Sequence, residues 1–355
     1  MRLSKEDVKN NRLVRHAYYF GDGIVRRGKL KRKAGKMQKA FGIEYLSVKE
    51  KEIQIKDMID MYMRYGYGFD EYLYFHFANK SLKERLSFVA DWEHLGYTCA
   101  MNNPQNAELF DNKWKTYQLF KEYYGREVVL CEGVAGEAKF LNMAKKHTRF
   151  IVKPVDESCG HGVKLIHNLG EDKLSELYYD LLNKNHGRLI AEELIHQVDN
   201  MAAFHPASVN TIRATTIRLD NEVLIIHPFL RIGQHGNHVD NGGAGGVLCT
   251  IDLHTGKITE ASDEKSTPYT IHPDTKKKIV GFTVPKWEKL ISLVQELALR
   301  VPDNRYTGWD LALTESGWVM VEANRRGQFV GWQIPTQIGF REELNDIMRR
   351  AGLKY

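Results

Sequence analysis

The chain has little of what would mark the simplest functional classes. Four cysteines stand in 355 residues, at 99, 131, 159 and 249. None has a partner at disulfide-framework or metal-ligand spacing, so the expectation is reduced thiols in a cytosolic protein. Cys159 reads as a small space-filler. No apolar run approaches the ~18 residues of a membrane-spanning helix, and the polar start does not fit a secretory signal. There is no GK[ST] opening a helix and no Rossmann glycine fingerprint, which excludes the two commonest phosphate-binding signatures. Zinc on His235 and His238 lacks a third and fourth ligand at convincing spacing. No internal repeat or low-complexity segment is present.

What is present is an ordinary globular composition, 43% apolar, with an uneven charge. Residues 1–40 hold 13 Lys and Arg against three acids, a net +10 that leaves −4 for the other 315 residues. Such an arm suits an anionic membrane surface or a charged glycan, or it is simply a solvated helical arm. Nucleic acid is not expected, because aromatics are sparse between 26 and 39 and no binding motif occurs.

Three segments carry chemistry. The first is near the C-terminus. Trp318-Val319-Met320-Val321-Glu322 alternates like a strand, and Glu322 and Asn324, two apart, share one face. Asp310 ends a short apolar run upstream and can join them from a neighbouring strand. Two carboxylates and an amide are the hard oxygen donors that Mg²⁺ takes beside phosphates. The second is the strand 149–154, which carries Lys153 and is closed by Pro154. A loop with Ser158, Gly160, His161 and Gly162 follows, whose backbone N–H groups can approach an anion. The third is Leu189-Ile190-Ala191-Glu192-Glu193-Leu194, a strand running into an acidic hinge able to hold an adenine ring. Each has a plainer reading taken alone: a solvated strand end, a hairpin with an exposed lysine, a charged edge.

Lysine strand, glycine loop, acidic hinge and D…ExN, in this order, resemble the motif order of the ATP-grasp superfamily. The likeness extends upstream to Lys113, which opens a helix over 113–124. More narrowly, the chain is similar to the sugar-transfer-associated ATP-grasp proteins of polysaccharide and capsule gene clusters. The strings Ser208-Val209-Asn210-Thr211-Ile212-Arg213, Gly242-Gly243-Ala244-Gly245-Gly246, Ile271-His272-Pro273, Tyr306-Thr307-Gly308-Trp309-Asp310 and Val321-Glu322-Ala323-Asn324 carry that likeness, which covers roughly residues 60–345. The resemblance implies an α+β ATP-grasp fold, two α+β subdomains clasping ATP between sheets, after a mostly helical N-terminal region. The expected divisions are 1–105, helical and basic; 106–200, the small subdomain; and 201–355, the large subdomain with the metal site and a substrate loop.

The same resemblance implies site roles. Lys113 and Lys153 would hold ATP phosphates, with Ser158, Gly160, His161 and Gly162 closing over them. Glu192, Glu193 and Leu194 would meet the adenine, and Gln197 or Asp199 the ribose. Asp310, Glu322 and Asn324 would hold one or two Mg²⁺, with Mn²⁺ as an alternative. Many ATP-grasp ligases carry an arginine two residues before the first metal aspartate; here that place is Gly308, and Arg213 or Arg231 is the candidate replacement, with Lys153 as a further catalytic group. Arg325 and Arg326 stand beside the metal asparagine and would face the transferred phosphoryl group or form surface ion pairs. Apart from the resemblance, the glycine run 242–246 reads as a substrate-contacting loop or as a flexible β–β connection, the first being expected.

The implied activity is ADP-forming, ATP-dependent carboxylate–amine ligation through an acyl-phosphate, in surface-glycan assembly. The partners are ATP, a carboxylate and an amine, and the location is cytoplasmic with or without membrane association. Two alternatives stay open: a kinase acting on a small polyol or sugar, and a non-catalytic nucleotide-binding subunit of a glycan-assembly complex.

The remaining pattern predicts helices over 57–65, after Ser81 over 82–90, near 136–146, over 171–184 and over 286–301. Strands are expected over 127–131, 149–155, 163–166 and 188–195 and repeatedly between 207 and 252. Residues 255–285 read as polar loop.

Overall fold

The computed structural model describes residues 14, 17–21, 26–157, 162–167, 170–236, 245–328 and 330–353. Among the described residues, ten strands form two antiparallel sheets. The first holds β1 (Val128–Glu132), β2 (Arg149–Pro154), β3 (Lys164–His167) and β4 (Arg188–Glu193), in the order β1-β4-β2-β3. The second holds β5 (Thr211–Arg218), β6 (Val223–Ile232), β7 (Val247–Ile251), β8 (Ile258–Ser262), β9 (Tyr306–Thr314) and β10 (Gly317–Asn324), in the order β10-β9-β5-β6-β7-β8. With the helices around them this is the expected α+β class.

Strand alternation assigns the faces. In the first sheet Phe150, Val152, Leu189 and Ala191 point one way, into a core with Phe140, Met143, Leu174 and Tyr178 of helices Ala135–Lys146 and Glu171–Lys184. Ile151, Lys153, Ile190 and Glu192 point the other way. In the second sheet Ile212, Leu230, Trp309 and Leu311 pack with helix Trp287–Leu299. Asp310 and Arg213 lie on the opposite face.

The N-terminal helices are built onto the second sheet. Met58, Tyr67, Phe75 and Phe77 share a core with Phe229 and Leu248 of β6 and β7 and with Ile334. Tyr97 and Met101 share another with Ile217, Tyr306 and the C-terminal helix Arg341–Arg350.

Four local expectations need correction. The helix foreseen over 57–65 runs Val48–Tyr65, started by a capping box in which Glu50 N donates to Ser47 Oγ and Ser47 N to Glu50 Oε2. Its charged first turns carry no apolar stripe to read. The helix foreseen over 82–90 stops at Arg85. Tertiary bonds take the groups that would continue it: Tyr67 Oη donates to Arg85 O and Phe88 O, Arg341 Nε to Leu86 O, and Val89 N to Gln333 Oε1. The supposed loop 255–285 contains β8, whose Thr259 and Glu260 are exposed and so disguise a paired strand. Asp310 lies inside β9, not at the end of an apolar run.

Candidate active site

The second sheet collects its charges by register. Asp310 on β9 is the Cα partner of Glu322 on β10 and, on the other side, of Arg213 on β5. Asn324, two residues beyond Glu322, donates from Nδ2 to Asp310 Oδ2 at 3.2 Å. The sequence-predicted metal set therefore converges. Arg213 Nε and Nη2 donate to Asp310 Oδ1 and Oδ2 at 2.6 and 2.9 Å, and Arg231 Nη2 lies 3.1 Å from Oδ2. Arg231 also donates to Thr211 Oγ1. Asp310 is 1% exposed and Arg213 8%. Burial pushes the Asp310 carboxyl up, but the guanidinium groups of Arg213 and Arg231 outweigh it and hold it below its ordinary value.

The departure at Gly308 has a steric cause. Gly308 shares a face with Asp310, and a Cβ there would stand 3.2 Å from Arg213 Cδ and 3.0 Å from Gly327 Cα. The Arg213 side chain occupies the room that a side chain at 308 would need. Gly327 is fixed in turn: its carbonyl accepts from Tyr306 Oη and meets His94 Nε2 at 2.9 Å. Burial pulls the His94 ring down to about 4, so it is neutral.

The first sheet holds a matching device. Glu192 Oε1 lies 2.5 Å from Lys153 Nζ, and Arg126 Nη2 donates to Glu192 Oε2 at 3.0 Å. Burial raises the Glu192 carboxyl, and the two cations more than reverse this, pulling it down to about 2. Arg126 was not foreseen from the sequence; a lone cation just before a strand is the only signal it gave. Its Nη1 donates to Met320 O at 2.7 Å, tying the first sheet to β10.

Lys113 joins the two sets. Asn112 caps its helix, accepting from Lys115 N, and Lys113 N donates to Val155 O beyond β2. Its ammonium donates to Glu157 O at the start of the loop. Burial lowers its pKa; Glu322 opposes that, Lys153 adds to it, and Glu192 opposes it. Of these groups Lys153 and Glu192 are in direct contact, and Lys113 is held at the loop by Glu157 and Val155.

Other predicted residues are placed less uniformly. Gly162 has φ +72° and packs on Pro154, where a Cβ would stand 2.6 Å from Cγ, so the loop returns against the strand it left. Ser158, Cys159, Gly160 and His161 lie outside the described residues, as do His238, Asp240, Asn241 and residues 242–244 of the glycine run. Glu193 alternates away from Glu192: its Oε2 accepts from Glu127 N, and its Oε1 lies 4.0 Å from His147 Nδ1. Leu194 follows β4 and is half-buried. The Gln197 side chain is engaged at both ends by the Asn210 backbone, donating from Nε2 to Asn210 O and accepting at Oε1 from Asn210 N. Asp199 is exposed at the head of a short helix. Arg325 makes a bidentate pair with Asp111, so it is occupied away from Asn324. His235 N donates to Asp274 Oδ2. Among the described residues no group of three or more His, Cys, Asp or Glu is placed to hold a metal, and no helix is long and apolar enough to cross a membrane.

The fold and the converging acids define an ATP-grasp protein. The family profile described as "Sugar-transfer associated ATP-grasp" matches residues 94–349, and the chain belongs to that family. No curated protein matches the chain in sequence. Similar solved structures include the D-alanine–D-alanine ligase of Helicobacter pylori, 14% identical with a TM-score of 0.45 over 70% of this chain. They also include the biotin carboxylase of Campylobacter jejuni, 13% identical with a TM-score of 0.47 over 72% of this chain. The N5-carboxyaminoimidazole synthetase of Staphylococcus aureus is 11% identical, with a TM-score of 0.41 over 64% of this chain. The matches span 63%, 49% and 48% of those three proteins, respectively.

Proposed function

We propose that the chain is an ATP-dependent, ADP-forming carboxylate–amine ligase working in surface-glycan assembly. The observation that carries this reading is the junction of the two sheets: Glu192 holds Lys153 and Arg126, and Arg126 donates onward to the Met320 carbonyl, two residues before Glu322 on β10.

In this reading a carboxylate oxygen of the acid substrate attacks the γ-phosphorus of ATP, and ADP leaves. The amine then attacks the acyl carbon, and phosphate leaves. A carboxylate does not acylate an amine at neutral pH without such activation, so the protein's task is alignment and charge neutralisation. Lys113 and Lys153 neutralise phosphate oxygens. The backbone at Leu194 takes the adenine; the Glu192 carboxylate is engaged by Lys153 and Arg126 and serves to hold Lys153 in place, and the Glu193 side chain is turned to the other face. Asp199 is the ribose contact, since Gln197 is held by Asn210.

The donor types suit a divalent cation, with Glu322 and Asp310 in direct register. Asp310 Oδ2 is already held by Arg213, Arg231 and the Asn324 amide nitrogen, and Oδ1 accepts from Arg213 Nε. Glu322, the second lone pair of Asp310 Oδ1 and the Asn324 amide oxygen are therefore left to meet the ion. Asp310, Glu322 and Asn324 would hold Mg²⁺, which supplies Lewis-acid charge next to the phosphates. Arg213, seated over Gly308, takes the part of the arginine that related ligases carry two residues before the metal aspartate, and Arg231 lies beside it on the same carboxylate. The Nε and Nη2 donors of both arginines are engaged by Asp310 and Thr211, so the acid substrate and its acyl-phosphate would be met by Arg213 Nη1 and by the charge of the pair.

The test is a single incubation with Mg²⁺-ATP, hydroxylamine and a panel of amino acids and uronic acids. ADP, free phosphate and a hydroxamate appearing together support the ligase and name the acid. ADP with a phosphorylated panel member and no free phosphate would overturn it in favour of a kinase.

A further inference from the structure

The match to the family begins at residue 94, so the helices before it have no assigned role. One of them is chemically one-sided. Helix Arg27–Ala40, with Arg26 before it, holds eight Lys and Arg and no acid. Leu30, Ala34 and Gln38 are buried against the body, and Gln38 Nε2 donates to Gln54 Oε1 of the next helix at 2.5 Å. At 100° per residue, Lys29, Arg32, Lys33, Lys36 and Lys39 fall in an arc of about 120° facing away from that buried stripe. All five are exposed. The helix is thus docked by one side and presents a fixed cationic face with the other.

Glu44 is exposed in the turn itself, but the acids nearer the helix are engaged elsewhere. Glu52 pairs with Lys31, on the flank of the arc, at 3.6 Å. Glu50 is engaged in the Ser47 capping box. Asp57 pairs with Arg85, and Asp60 with Arg64. Beyond the last lysine of the helix, the turn to helix Val48–Tyr65 carries large apolar groups in solvent: Tyr45 is 82% exposed and Val48 78%. A polyanion such as nucleic acid or an acidic glycan would use the cations but has no need of an exposed aliphatic group. A lipid interface uses both, taking the charges at its headgroups and the apolar side chains at its acyl boundary.

We propose that helix Arg27–Ala40 and the turn carrying Tyr45 and Val48 dock this protein peripherally on an anionic lipid bilayer. This does not depend on the reaction proposed above.

The test is co-sedimentation of the full chain with vesicles of phosphatidylcholine alone and of phosphatidylcholine mixed with phosphatidylglycerol, with heparin and duplex DNA measured in parallel. The wild type is expected to bind the anionic vesicles, not the neutral ones, and to be released by salt that shortens the screening length from about 8 Å to about 3 Å. Each basic residue near such a surface strengthens binding about fivefold, so the variant Arg32→Glu/Lys33→Glu/Lys36→Glu/Lys39→Glu should lose at least ~100-fold. Tyr45→Ser/Val48→Ser should weaken vesicle binding about tenfold and leave heparin binding unchanged. All six positions are exposed, so both variants should unfold at the wild-type temperature. No binding to anionic vesicles, or quadruple-variant binding equal to the wild type, would overturn the proposal. So would an unchanged affinity of the Tyr45/Val48 variant, which would mark a general polyanion face.

Discussion

Glu192 in the first sheet and Asp310 in the second are the same device in two settings. Each is a buried carboxylate between two cations, Lys153 and Arg126 in one case, Arg213 and Arg231 in the other. They differ in where the partners come from. Arg213 and Arg231 sit on strands of the sheet that carries Asp310, so that trio is internal to one sheet. Arg126 reaches from Glu192 to the Met320 carbonyl of β10, so the Glu192 trio also fastens one sheet to the other. A buried carboxylate of this kind is costly once its partners are removed, and its partners are costly without it. Substitutions at Asp310 should therefore act on one sheet and its chemistry, whereas those at Glu192 should also loosen the junction.

Asp310→Ala is the hardest break. It leaves two buried guanidinium groups without their carboxylate and should cost about 3–5 kcal/mol in denaturant unfolding, with loss of turnover. Glu192→Gln should cost about 3 kcal/mol, and it should raise proteolytic cleavage between the sheets where Asp310→Ala does not.

Acid separates the two trios further. Glu192 has an ordinary value of 4.5 and is pulled down to about 2 in the fold. A depressed carboxylate contributes stability above its unfolded value and loses it as pH falls through the folded one. Between about pH 4.5 and pH 2 the protein should lose about 3 kcal/mol from this group, and Glu192→Gln should flatten that part of the profile.

Two smaller effects concern activity more than stability. Gly308→Ala places a Cβ against Arg213 and Gly327; it should cost about 1–2 kcal/mol and lower kcat about tenfold by displacing the guanidinium. Lys153→Ala leaves Arg126 on the buried Glu192 carboxylate, so unfolding should shift by about 2 kcal/mol while ATP turnover disappears.

Much of this was legible in the sequence. Glu322 and Asn324 share a face because strand periodicity is two, and both are placed as their spacing demands. Lys153 inside an apolar strand signals a group with a role, but that it rests on Glu192 is a matter of sheet register. What was illegible is cross-strand. Nothing along the chain says that Arg213 lies opposite Asp310, since 97 residues separate them and only sheet register joins them. The same holds for Arg126 and Met320, 194 residues apart. Gln197 looked available because its partners, the amide and carbonyl of Asn210, are backbone groups that no side-chain pattern reveals. Helix ends were misjudged where tertiary bonds stopped a helix at Arg85 or a capping box started one at Ser47.

The most direct test of the central claim, that the two sheets jointly hold ATP, is calorimetric titration of Mg²⁺-ATP into the wild type, Lys153→Ala and Glu322→Gln. Saturable binding to the wild type is expected, with at least ~10-fold weaker binding to both variants, one altered on each sheet. Binding that is absent in the wild type, or unchanged in either variant, would contradict that claim.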